Sequence, residues 1–214
     1  MTDRSATVFA VDDDPAVLKG LERLLRSAGF KAEVFASAQA FLDGYCPEVT
    51  GCVILDLAMP GLDGMQVQQR LIEKGGALPI IFLTGHGDVP ACARAMKHGA
   101  ADFLTKPVDD QELLTAVHQA TERCGILQQE RLELADIEER LGTLTPRERE
   151  VLEHLLSGKL NKQIAAALGT VEKTIKVHRA RVMHKMRAPT LADLVRMAER
   201  ARVVGESNGS HSAA

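Results

Sequence analysis

Five polar side chains stand where apolar runs stop. Asp12 and Asp13 follow the run from Ala6 to Val11, and Asp56 closes the run that starts at Gly51. Thr84 ends the run from Pro79, and Lys106 follows the run from Ala101 to Thr105. Apolar runs this short, bounded by turn residues, are consistent with strands buried on both faces. A polar residue at the C-terminal end of such a strand lies on the edge where open α/β sheets place their ligand sites. If the first and third runs are parallel neighbours, Asp12, Asp13 and Asp56 converge, and like charges at close range disfavour ionisation. A cation belongs with them.

The elements that must position these residues alternate. After the first run, Asp14-Pro15 opens a helix with Asp as N-cap and Pro in the first turn. Val17, Leu18, Leu21, Leu24 and Leu25 recur at helical spacing until Gly29. Lys31–Phe35 reads as a second strand, and Ser37 caps a helix ending near Gly44. The Asp56 strand, the Pro60-Gly61 turn and a helix from about Met65 to Lys74 come next. A fourth strand ends at Thr84, a helix runs from about Val89 to Lys97, and a fifth strand precedes Lys106-Pro107. A helix from about Asp110 to Arg123 completes the series. Five strand–helix alternations with short loops predict an α/β fold, a five-stranded parallel sheet with helices on both faces. No glycine-rich phosphate loop follows the first strand, which disfavours a nucleotide-binding fold.

Charge divides the chain. Residues 1–142 carry −9 and residues 143–214 carry +6, so the front is acidic and the rear is the nucleic-acid candidate. Cys46, Cys52, Cys92 and Cys124 show no C-x-x-C pairing and no histidine at ligand spacing, which favours free thiols over zinc or a disulfide framework. No stretch has the length and apolarity of a membrane span, and the N-terminus lacks a signal-peptide pattern, so a soluble cytoplasmic protein without membrane partners is expected.

The wording V-D-D-D-P, L-D-L-A-M-P-G-L-D-G, T-G-H-G-D-V-P and D-F-L-T-K-P, in this order over the front half, resembles the receiver domain of two-component response regulators. That resemblance implies the doubly wound flavodoxin-like strand order 2-1-3-4-5. It makes Asp56 the phosphorylation site, a carboxylate nucleophile that forms an aspartyl phosphate. Asp13, Asp56 and the backbone carbonyl of Ala58 match the family's Mg²⁺ ligands, with Asp12 as their partner, and Mg²⁺ prefers such hard oxygens. Lys106 supplies a cation and Thr84 a hydroxyl for the phosphoryl oxygens; phosphoryl transfer depends mainly on positioning and charge neutralisation. The Lys106-Pro107 bond resembles the family's cis X-Pro. Phe103, three residues before the lysine, matches the switch aromatic without a tyrosine hydroxyl. Phosphate drawing Thr84 inward would vacate space for Phe103, a population shift that alters the face formed by the fourth helix and fifth strand. Ala58 and His86 should influence how fast the aspartyl phosphate hydrolyses.

Between the halves, Leu127, Leu134 and Leu141 are seven apart with Ile137 beside them, so residues 125–142 read as an amphipathic linker helix. It either pairs as a short coiled coil or packs on its own domains. Thr145-Pro146 with Glu148 then forms an N-cap, first-turn proline and capping box. Asn161–Leu168, Gly169 and the stretch from Glu172 to Met183 read as helix, turn and helix. A fourth helix runs from about Thr190 to Arg202. From Lys162 to Arg187 there are seven Lys/Arg and one acid, the charge footprint of a DNA-binding face.

The wording L-T-P-R-E-R-E-V-L, N-K-Q-I-A-A-A-L-G and K-T-I-K-V-H-R-A-R-V-M-H-K-M resembles the LuxR-type helix-turn-helix domain. By that match Lys176, Val177 and Ala180 face base edges. Lys162, Lys173, Thr174, His178, Arg179, Arg181 and Lys185 match phosphate or backbone contacts, which position without specifying. The pair of resemblances is that of the FixJ/NarL group, with the receiver wording closest to the FixJ branch. It implies a receiver over 1–124, a linker over 125–142, an all-α four-helix DNA-binding domain over 143–204 and a disordered tail over 205–214. It also implies a sensor histidine kinase, promoter DNA, RNA polymerase and, on phosphorylation, a second copy of the chain as partners. The protein would be no enzyme beyond slow self-dephosphorylation. Two competitors are a DNA-binding regulator that needs no phosphorylation, disfavoured by the complete acidic site, and a metal-dependent phosphatase. The phosphatase pattern needs a second Asp two residues after the nucleophile, and Ala58 stands there.

Overall fold

A computed structural model describes residues 6–46, 49–74, 78–85 and 89–209. They fall into two compact units, residues 1–129 and 130–214.

The first unit alternates β1 (Thr7–Val11), α1 (Pro15–Ser27), β2 (Lys31–Phe35), α2 (Ala38–Gly44), β3 (Gly51–Asp56), α3 (Gly64–Glu73), β4 (Ile80–Thr84), α4 (Val89–Lys97) and β5 (Asp102–Thr105), followed by the first part of α5 (Asp110–Gly142). The strands form one parallel sheet in the order β2-β1-β3-β4-β5. β1, β3 and β4 are buried along their whole length, as both faces of a covered parallel sheet require. Side chains alternate across the sheet. Val8, Ala10, Ile54, Ile81 and Leu83 pack with Leu18, Leu25, Leu113 and Val117 of α1 and α5. Phe9, Val11, Val53, Leu55 and Phe82 pack on the other face with Phe41, Val67, Leu71 and Ala95 of α2, α3 and α4. Asp14 caps α1 by accepting from the Ala16 N–H at 2.7 Å, directly after the acidic pair.

Two helices run further than the sequence pattern suggests. The expected stop near Arg123 is absent, and α5 passes through Gly125 without a break. A single glycine costs a helix interior only about 1 kcal/mol, and Cys124 is buried beside it. α9 (Leu191–Gly209) likewise continues past Arg202, so residues 205–209 are helical rather than part of a tail. Adding residues to an existing helix avoids the nucleation cost. Residues 210–214 lie outside the described residues.

In the second unit α6 (Pro146–Leu156), α7 (Asn161–Ala167), α8 (Glu172–Lys185) and α9 close over one core. Val151, Ile164, Ile175, Val182, Met186 and Leu194 are fully buried. Ile137 of α5 belongs to that core and Leu141 packs against it. Two of the residues read as a heptad seam are therefore covered within their own unit, so of the two linker readings the one that packs on its own domain is observed for this end. Gly169, at φ +62, makes the left-handed turn between α7 and α8 that a side chain would disfavour.

Candidate phosphoacceptor site and DNA-reading face

The C-terminal edge of the sheet brings the polar strand ends together. Register pairs Val11 with Leu55 and Asp56 with Leu83, so β1, β3 and β4 end side by side. The Lys106 N–H donates to the Thr84 carbonyl at 2.7 Å, which ties the β5 exit to the end of β4. Carboxylate oxygens of Asp12, Asp13 and Asp56 lie within 4.8 Å of one another. Asp12 and Asp56 are buried, whereas Asp13 is exposed. Lys106 Nζ stands 2.6 Å from Asp12 Oδ2 and 3.3 Å from Asp56 Oδ2.

The electrostatics follow from this crowding. Burial pushes the Asp56 carboxyl above its usual range, and the Asp12 charge adds to the rise. The Lys106 charge and the Ala58 N–H, 3.4 Å from Oδ1, oppose it. For Lys106 burial pulls the ammonium down, but the Asp12 hydrogen bond and the charges of Asp12 and Asp56 outweigh it and hold the group above its usual range. Lys106 thus pairs with two of the three carboxylates. The donor set is hard oxygen, converging and short of positive charge, and it fits a divalent cation such as Mg²⁺.

Other expected residues sit close to this edge. Thr84 is buried at the last position of β4, on the sheet face that carries Phe82. Phe103 is half-buried on β5 opposite Phe82, with ring centroids 6.3 Å apart, and packs against the α3/α4-side core. Ala58 is exposed just beyond β3. The Lys106-Pro107 peptide is cis. His86 lies outside the described residues.

Two contributors were not read from the sequence. Gly64 opens α3 against the end of β3, its N–H donating to the Leu57 carbonyl at 3.0 Å. A Cβ there would stand 2.7 Å from the Asp56 carbonyl oxygen and 2.9 Å from the Phe82 ring. The signal was the capping pair Asp63 and Gln66, whose reciprocal bonds fix the helix start at 64. Gln68, also on α3, is buried and donates to the Ala95 and His98 carbonyls at 3.3 Å, holding the C-terminal end of α4. Its helical spacing marks only an inward face, and nothing in the sequence names its partners.

In the second unit α8 turns Ile175 and Val182 inward, both fully buried, and leaves Lys173, Lys176, Val177, Ala180 and Arg181 exposed. Thr174, His178 and Arg179 are half-buried, and Lys162 is exposed on α7. Arg179 donates to Asn161 Oδ1 at 3.3 Å and links the two helices. Lys176 makes a 3.2 Å pair with Glu172 in which both side chains are exposed, an interaction weak enough to exchange for a phosphate or base. Lys185 is placed differently. Its ammonium is 2.7 Å from Glu148 and 2.9 Å from the Thr143 carbonyl, joining α8 to the start of α6. This geometry gives Lys185 a structural partner in place of an open face.

Comparison with known proteins gives a family for each part of the chain. Residues 8–118 match the response regulator receiver domain family, and residues 142–198 match the luxR family of bacterial regulatory proteins. Nodulation protein W of Bradyrhizobium diazoefficiens is 47% identical over 194 residues, covering 91% of this chain and 86% of the relative. The transcriptional regulatory protein FixJ of the same organism is 42% identical, covering 93% and 97%. Among solved structures, the response regulator StyR aligns with a TM-score of 0.86 at 44% identity, over 92% of this chain and 99% of that one. Full-length FixJ from B. japonicum aligns with a TM-score of 0.56 at 42% identity, over 95% and 99%. Among the described residues no helix is long and apolar enough to cross a membrane.

Proposed function

This chain belongs to the response regulators of the FixJ/NarL type, and we propose that Asp56 is where it takes its phosphoryl group. The observation that carries this is the convergence of Asp12, Asp13 and Asp56 at the sheet edge, with Lys106 paired to Asp12 and Asp56. The donor would be the phosphohistidine of a sensor kinase. The P–N bond breaks as an Asp56 oxygen bonds to phosphorus, and the imidazole departs with a proton. A bound Mg²⁺ would supply positive charge for the phosphoryl oxygens, held by Asp13, Asp56 and the Ala58 carbonyl with Asp12 beside it. Lys106 supplies the second cation, close to Asp56 already, and Thr84 offers a hydroxyl from the neighbouring strand end. Slow loss of the phosphoryl group is the only turnover expected.

The output is a change of population. Thr84 and Phe103 lie toward the same core, so a Thr84 drawn to the phosphate would release room for the Phe103 ring. The surface of α4 and β5 would then favour pairing with a second copy. Functionally, residues 1–124 act as receiver, 125–142 as linker and 143–204 as DNA-binding domain, working in the cytoplasm. Two copies would place Lys176, Val177 and Ala180 of α8 against promoter bases. Lys162, Lys173, Thr174, His178, Arg179 and Arg181 would lie toward the backbone, with RNA polymerase as the next partner.

The test is sedimentation and promoter binding of the full chain with Mg²⁺, with and without a small acyl phosphate. Phosphorylation should raise both the dimer fraction and the affinity. Equal association and affinity in the two conditions would remove phosphorylation from the mechanism.

A further inference from the structure

Helix α8 begins on a residue poorly suited to the position. Val171 is its N-cap, with φ −98 and ψ 150, and makes no side-chain capping hydrogen bond. Serine, threonine, aspartate or asparagine is favoured there, because their side chains accept from first-turn N–H groups that a valine leaves without that partner. Asp14, Ser37, Asp63 and Thr145 fill the same position in α1, α2, α3 and α6 with side chains that accept from the first turn, whereas α7 starts, like α8, on an exposed apolar residue, Leu160. Nor does Val171 serve the core. It is 65% exposed, while Ile175, one turn later, is 0% exposed.

A lone exposed valine on an ordinary surface needs no account. This one stands at the leading end of the helix that presents Lys173, Lys176 and Val177 to solvent, with Glu172 the one acid in its first turn. In helix-turn-helix proteins the N-terminal residues of the second helix contact base edges. The major groove displays one apolar group, the 5-methyl of thymine. We infer that Val171 is a specificity-determining residue whose methyl groups pack on a thymine 5-methyl in each half-site. The lysines around it favour a polyanion over an apolar protein surface. This rests on α8 being the DNA-reading helix, and the experiment separates the two.

The full chain, Val171→Ser and Lys176→Ala would each select binding sites from random-sequence DNA, in the presence of Mg²⁺ and an acyl phosphate. Val171→Ser restores a favoured cap, so weaker reading by this variant would not come from unfolding. The wild type should enrich thymine at one position per half-site that Val171→Ser leaves unselected, the remaining positions being shared. Replacing that thymine by uracil removes only the methyl group. It should weaken the wild type about fourfold per half-site, the worth of one buried carbon group, and leave Val171→Ser unchanged. Identical base preferences, or an equal uracil effect in both proteins, would overturn the role of Val171. A shift with Lys176→Ala but none with Val171→Ser would keep α8 as the reading helix and remove Val171 alone. No enrichment by any of the three would remove both.

Discussion

Substituting Glu148 by glutamine tests the ion pair that joins α6 to α8. Glu148 is buried, and its Oε2 accepts from Lys185 Nζ at 2.7 Å and from the Thr145 N–H at 2.9 Å. The Lys185 hydrogen bond first, and the Thr145 N–H second, hold the carboxyl down from 4.5 to about 2. At about 1.4 kcal/mol per pH unit that shift corresponds to about 3 kcal/mol. Lys185 is 31% exposed, so water screens its end of the pair; about 1–2 kcal/mol is the expected value. Because the folded group is more acidic than the unfolded one, this contribution is complete above 4.5 and is lost as pH falls toward about 2. Glu148→Gln should therefore destabilise the second unit by about 1–2 kcal/mol near neutrality, and the difference should vanish in acid. Urea unfolding followed at the NMR signals of Ile164, Ile175 and Val182 would report this unit without interference from the first. A variant as stable as the wild type near neutrality, or a gap that persists undiminished in acid, would refute the assignment.

Other consequences can be measured in the first unit and along α5. Gly64→Ala places a methyl against the Asp56 carbonyl and the Phe82 ring; overpacking of this kind costs about 1–3 kcal/mol, and phosphorylation should slow with it. Gly125→Ala, where a Cβ meets nothing within 4 Å, should instead stabilise α5 by about 0.5–1 kcal/mol in thermal unfolding. Lys106→Met leaves Asp12 and Asp56 facing each other without their nearest cation. Burial already holds the Asp56 carboxyl above its usual range, so ionising it works against folding. The metal-free variant should lose stability relative to the wild type as pH rises through the carboxylate range to neutrality, and Mg²⁺ should recover more stability in it than in the wild type.

The sequence was most informative where function and local structure place the same demand on a residue. Asp56 ends an apolar run and also ends β3, and Asp14-Pro15, Ser37 and Thr145-Pro146 mark helix starts that the structure reproduces. Gly169 was legible as a turn for the same reason. Contacts between distant segments were not. Gln68 meets the Ala95 and His98 carbonyls across 27 and 30 residues, and Lys185 meets Glu148 across 37. No local spacing encodes such pairings, so Lys185 read as one more cation of the DNA face. The helix end expected near Arg123 was misplaced for another reason: one glycine costs a helix about 1 kcal/mol, less than starting a new helix beyond it.

The account stands most directly on Asp56. The full-length protein, given Mg²⁺ and a small acyl phosphate, should acquire one phosphoryl group that survives acid and is lost in base. Intact-mass measurement should find it on the wild type and not on Asp56→Asn. Undiminished phosphorylation of Asp56→Asn would contradict the account and move the acceptor elsewhere.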